Sequence, residues 1–206
     1  MKQDAVHIFF LKKKVLFPEC TLAVSVGRSE TSEELRKGDR VLVAPLRFTL
    51  DLLRFRPRIA TIAEVTEVRA DLKTVRMSLR GLTRVRLTET INFKKGRYEH
   101  LEAGAVESHE SIGEELRKKS QELVFLINVE ESDRLIGLLN YIVGLNQLTD
   151  FIANYFILDF PARYRLYNET DVKKRSRMLI GDLDALMRRM TEQRKKRIYE
   201  KNSDRK

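Results

Sequence analysis

The sequence predicts an α+β chain, with a β-rich first half followed by a helical second half. Up to about residue 106 apolar residues alternate with polar ones, the period of strands with one buried face. From about Ser108 the apolar spacing lengthens to that of helices. Charge divides near the same place. Residues 1–100 hold 21 Lys+Arg against 12 Asp+Glu, a net of +9; residues 101–187 hold 10 against 15, a net of −5; residues 188–206 hold 9 against 3, a net of +6. A basic half, an acidic half and a basic tail predict domains at 1–108 and 109–206, the second ending in a solvated tail.

The 206 residues suffice for a core that needs no disulfides, and a composition of 42% apolar and 34% charged residues is that of a soluble globular protein. A single cysteine, Cys20, excludes an internal disulfide and a cysteine zinc site, and suggests a reducing, cytoplasmic setting. The first apolar run, Ile8 to Leu11, is short and is followed by Lys12-Lys13-Lys14, the reverse of a signal peptide. The most apolar later stretch, Leu135 to Leu148, carries Asn140, Asn146 and Gln147 and falls short of the roughly 20 residues of a membrane span.

In chain order, Val6 to Leu11 and Val15-Leu16-Phe17 read as short strands, the second ended by Pro18. Leu22, Val24 and Val26 alternate with small residues up to Gly27. A short helix is expected from Thr31 or Ser32, with Glu33 and Glu34 in its first turn and Gly38 at its end. Arg40 to Ala44 and Ile59 to Val68 return to strand, and Asp71-Leu72-Lys73 forms a polar turn. In Val75 to Leu87 the alternation is broken by Gly81, which predicts two strands joined by a tight reversal at Arg80-Gly81-Leu82-Thr83. Tyr98 to Val106 closes the half, and so many short strands argue for a small barrel or sandwich.

The helical half begins with Ser111-Ile112-Gly113-Glu114, which fits a capping box, and Leu116, Leu123, Val124 and Leu126 supply its apolar stripe. Ser132 caps a second helix that Gly144 stops. Asn146 opens a third. Pro161 sits in the first turn of a fourth, near Asp159. Asp171 caps the last, which carries Leu179, Leu183, Leu186 and Met190 and runs to about Tyr199. Beyond Met190 its apolar face fades into Gln193-Arg194-Lys195-Lys196-Arg197.

These residues resemble the amino-terminal domain of the Lon proteases. The resemblance runs from Ile8-Phe9-Phe10-Leu11 through Val15-Leu16-Phe17-Pro18 to Leu22–Val26, then Met77 to Leu87 with Gly81 and Arg84 at their places. It continues in Leu148-Thr149-Asp150-Phe151-Ile152-Ala153 and Asp171-Val172-Lys173-Lys174-Arg175. It implies a PUA-like β-barrel followed by a helical bundle, a unit that engages protein substrates ahead of an ATPase and a protease module. Two local departures stand out. Glu19 follows the Phe-Pro pair where the family commonly has Gly, and the connection before the long strand, Leu46 to Pro57, is apolar and arginine-rich instead of acidic.

Catalytic signatures are missing from these residues. None of the nine glycines stands in the G-x-x-x-x-G-K-[ST] arrangement that cradles phosphate, and His7, His100 and His109 lack zinc-helix spacing. Cys20 reads as a small half-buried residue whose one sequence neighbour able to shift it, Glu19, would raise its pKa. The expectation is a non-enzymatic chain with no cofactor and no metal.

The candidate protein-binding residues are Leu46, Phe48, Leu50, Leu52, Leu53 and Phe55. The first four alternate with Arg47, Thr49 and Asp51, which fits either an ordinary extended strand pair or an apolar, Arg-edged flap for hydrophobic segments of other proteins. Arg76, Arg80, Arg84 and Arg86, with Arg54 and Arg56, form the candidate basic face, read either as a solvated surface or as phosphate contacts. PUA-like barrels in other families bind RNA, so an RNA-binding protein is the alternative function; the hairpin offers no aromatic residue for base stacking. The expected partners are unfolded or flexible proteins, held in an apolar groove between barrel and bundle. The resemblance adds an ATPase or protease as a further partner, and the chain itself is expected to be a monomer or weak homo-oligomer away from membranes.

Overall fold

The computed structural model describes residues 5–27, 34–52, 58–101, 110–127 and 132–203, with side chains omitted at residue 50 and at 197–203. The start of the helix expected from Thr31 or Ser32, the strand beyond Leu101 and the change of period at Ser108 lie outside the described residues; of that helix Glu34 is described as helical, and Gly38, its expected end, has φ +94. The chain divides into two compact units, Met1–Ala105 with Leu158–Asn168, and Val106–Ile157 with Glu169–Lys206. The fourth helix, which a division at 108/109 assigns to the bundle, belongs to the sheet unit instead.

Six described strands build that sheet: β1 (Val6–Lys12), β2 (Thr21–Gly27), β3 (Arg40–Leu46), β4 (Arg58–Ala70), β5 (Thr74–Ile91) and β6 (Lys95–His100). Their order is β2-β5-β4-β3-β1-β6, and β6 also pairs with the second half of β5. β1 runs parallel to β3, and the other pairings are antiparallel. The sheet therefore curls toward a barrel, with a narrow seam of two residue pairs between β1 and β6.

β5 overturns the expected reversal at Gly81, being one strand of 18 residues. Gly81 is not among the residues of positive φ, so no turn requires it. A Cβ there would stand 2.4 Å from the Phe17 carbonyl oxygen. Close backbone approach is thus its role: Glu19 N–H donates to Gly81 O and Gly81 N–H to Cys20 O, each at 2.9 Å. Phe17-Pro18-Glu19-Cys20 becomes a turn laid against mid-β5, and Val15 to Phe17, expected as a strand, is a buried connection.

Opposite Gly81 the ladder slips. Ile62 pairs with Thr83 and Ala63 with Gly81, which leaves Leu82 as a bulge. The slip lets one alternating strand serve two cores. Val75, Met77 and Leu79 pack with Val41, Val43, Ala63 and Val65, whereas Val85 and Leu87 pack with Leu42, Ala44, Ala60 and Ile62. β3, between them, is buried on both faces.

Five described helices follow: α1 (Glu110–Ile127), α2 (Ser132–Tyr141), α3 (Leu145–Phe156), α4 (Phe160–Asn168) and α5 (Val172–Ser203). α1 already includes Glu110, so Ser111 and Glu114 lie inside it and are not its cap. α2 ends at Tyr141, three residues before Gly144, and Arg117 of α1 donates to the Leu139 and Ile142 carbonyls at its end. Gly144 is instead the N-cap of α3. Asp171 caps the last helix as expected, accepting from Lys174 N–H at 3.1 Å, and Asp159, near which the fourth helix was expected to start, caps that helix by accepting from Ala162 N–H at 3.0 Å. α5 spans 32 residues, roughly 48 Å, and is exposed from Thr191 to Lys196. No described helix is long and apolar enough to cross a membrane.

Candidate protein-binding site

The segment after β3 does not stay extended. Leu46 ends the strand inside the core at 5% exposure, which removes it from the candidate binding surface. The Asp51 carboxylate then accepts the N–H of Arg47 at 3.1 Å and of Phe48 at 2.9 Å, while Asp51 N–H donates to Phe48 O. These bonds wind Thr49–Leu52 into a 3-10 turn, so the period-2 alternation was not a strand pattern. Leu50 lies in that turn, and Leu52 is half-buried. Leu53, Arg54, Phe55 and Arg56 lie outside the described residues.

The turn presents Phe48, 60% exposed on a braced backbone. The Arg47 guanidinium lies 5.8 Å from the Phe48 ring centre and 5.7 Å from that of Tyr164 in α4. Tyr164 in turn packs against Phe160, ring centres 5.7 Å apart. Three aromatic rings and one guanidinium thus form a continuous patch, with apolar faces for contact and an arginine for acidic or carbonyl groups.

α4 is held to the sheet by a buried polar cluster. Tyr167 and Thr61 share a hydroxyl–hydroxyl bond of 2.8 Å, and Thr61 also donates to Leu16 O at 2.8 Å. Arg84 Nε donates to Tyr167 O at 3.1 Å, and its guanidinium stacks 5.4 Å from the Tyr167 ring and 5.7 Å from that of Phe17. Arg163 approaches Phe17 to 5.6 Å, and burial pushes its guanidinium below the usual arginine range. Arg84, expected on the outer basic face, is 8% exposed and belongs to this cluster.

The other described arginines of that face are matched by carboxylates. Arg76 meets Asp71 at 3.3 Å, Arg80 meets Glu64 at 2.9 Å and Arg86 meets Glu99 at 3.6 Å. A surface of alternating sign offers little to a run of phosphates.

In the helical unit the polar core centres on Arg175, which is 1% exposed. It faces Asp150 of α3 at 3.5 Å and donates to Asn146 Oδ1 at 2.6 Å and Glu169 O at 2.7 Å. Asn146, expected to open α3, therefore serves Arg175. Thr149 and Ser176 add a buried hydroxyl pair at 2.8 Å. The same unit leaves Tyr141, Val143 and Tyr155 exposed. Periodicity marked the apolar positions of both units but not Arg47, Tyr164 or Asp51, whose joint placement depends on α4 returning to the sheet.

Residues 5–185 match the model of the ATP-dependent protease La (LON) substrate-binding domain. Among solved structures, the chain is similar to the N-terminal domain of the Mycobacterium avium complex Lon protease, with TM-score 0.68 and 18% identity over 88% of this chain and 98% of that one. It is also similar to a Lon N-terminal domain protein from Xanthomonas campestris, with TM-score 0.56 and 16% identity over 87% of this chain and 98% of that one. At these identities the likeness is one of fold. No curated protein gives a significant match.

Proposed function

We propose that this protein recognises other proteins, and the premise is its family: the chain belongs to the ATP-dependent protease La (LON) substrate-binding domains. Within that family role, the proposed ligands are unfolded or flexible segments, and the proposed contact surface is the Arg47, Phe48, Tyr164 and Phe160 patch. One observation carries the choice of surface. Phe48 is a large apolar side chain held in water by a turn that the Asp51 carboxylate braces, so its exposure is built in.

Affinity would come from apolar burial, at about 25 cal/mol per Å², with Arg47 orienting acidic residues at the rim. Recognition of this kind needs no chemistry from the chain itself. The proposed role is to hold a segment for an ATPase or protease.

The test is binding of a permanently unfolded protein, such as reduced and carboxymethylated α-lactalbumin, to the wild type and to Phe48→Ser. The expected result is a loss of about tenfold or more in affinity with an unchanged melting temperature. Equal binding by the two proteins would move the contact surface elsewhere. Binding should also persist in 0.5 M salt, as apolar contact does.

A further inference from the structure

We infer that β2 is a docking edge, to which an extended segment of a bound protein adds as a further strand. The inference rests on the recognition reading above and names how the segment is held. β2 pairs with β5 on one side and stands at the end of the strand order, with no strand on its other side among the described residues. Exposed edges are normally blunted by charge, proline or a bulge. Thr21–Gly27, T-L-A-V-S-V-G, has no charged residue and no proline, and its register with β5 runs unbroken from Thr21–Arg80 to Gly27–Thr74.

The direction of the backbone groups not facing β5 follows from one bond. Gly81 N–H reaches Cys20 O, so in an antiparallel ladder the bonded rungs continue through Leu22–Leu79, Val24–Met77 and Val26–Val75. The N–H and C=O groups of Thr21, Ala23 and Ser25 consequently point away from β5. They form a template for a segment of about six residues, one that reads backbone and tolerates varied sequence.

Side chains set the preference. Leu22 and Val26, half-buried, extend the apolar core toward the edge on one face. On the other face Thr21, Ala23 and Ser25 are small and exposed, and Arg80 and Arg76 stand directly behind Thr21 and Ser25 on β5. An added strand would lie roughly 10 Å from β5, within reach of an extended arginine across a small side chain. Their present partners, Glu64 and Asp71, hold them in exposed pairs of little strength. The favoured segment is therefore extended, free of proline, and alternates apolar with acidic residues.

The experiment uses the full chain, a fluorescent peptide of about eight residues alternating valine and glutamate, and two versions of that peptide N-methylated on alternate residues. Wild type should bind the parent peptide, and one methylated version should bind about tenfold more weakly than the other, because only one set of its N–H groups faces β2. Ala23→Pro removes an outward N–H where edge strands accept proline, and should weaken binding about tenfold without lowering the melting temperature. Equal affinity for both methylated peptides overturns the inference, and this arm needs no variant to fold. Carboxymethylated α-lactalbumin separates the two readings. If it binds wild type and Ala23→Pro alike, the edge is wrong and recognition elsewhere stands; if wild type binds neither probe, the recognition reading falls too. A wild-type dimer in sedimentation that Ala23→Pro dissolves would assign the edge to a second copy and overturn the inference.

Discussion

A methyl group on Gly81 would collide with the Phe17 carbonyl oxygen and press tightly on the Phe17 carbonyl carbon and the Pro18 Cα, all backbone atoms that cannot rotate away. Gly81→Ala should therefore cost at or above the upper end of the roughly 1–3 kcal/mol range of overpacking, read from urea unfolding. Glu19, two residues from that oxygen, has φ +58, a conformation that costs an ordinary residue about 1 kcal/mol and glycine nothing. Glu19→Gly should raise stability by up to that amount in the same measurement. Gly after Phe-Pro is thus what the backbone here prefers, and the turn survives without it. The sequence marked Gly81 as special, but a glycine that frees φ and a glycine that makes room look identical in one dimension; only the position of Phe17 distinguishes them.

At the level of elements, what could be read was what is local. Asp171 caps a helix that starts next to it and was visible as a cap in the sequence, as was the start of a helix near Asp159. The Asp171 carboxyl is held below its ordinary 3.8, chiefly by the Lys174 N–H. A depressed folded pKa adds stability above 3.8 that is lost as pH falls through the lower folded value. The difference in helix content between wild type and Asp171→Ala should then shrink below about pH 3.8, as followed by circular dichroism. Arg84 was misplaced because its partner Tyr167 lies 83 residues on, and no periodicity reports a helix that returns to cover a strand. Leu46 to Leu52 misled for the opposite reason, since Asp51 overrides the alternation over a span of four residues. Tyr167→Phe removes the hydroxyl that Thr61 bonds and should destabilise by about 1–2 kcal/mol. In the helical unit Asp150→Ala removes the carboxylate that faces the buried Arg175, and should cost about 3–5 kcal/mol; adding Arg175→Met should restore much of it in a double-mutant cycle.

Across the whole molecule, the α+β composition, the order of sheet before helices and the family were legible, because they rest on periods and on motifs spread along the chain. Which stretch completes which unit was not. The sheet unit draws its last helix, Phe160–Asn168, from beyond three helices of the other unit. A fragment of residues 1–105 therefore lacks Tyr167 and should melt well below the sheet unit in the intact chain, or fail to fold. A fragment that melts with the intact chain would show that α4 adds nothing.

That discontinuity acquires a direction when the chain is made on a ribosome, from its amino end. Between Ala105 and Asn168 lie 63 residues of synthesis, roughly 3–13 s at 5–20 residues per second. During that interval Phe17, Thr61 and Arg84 have been translated while the tyrosine that covers them has not. The sheet unit therefore lacks the cover of Phe17, Thr61 and Arg84 until the helices encoded in between have been made.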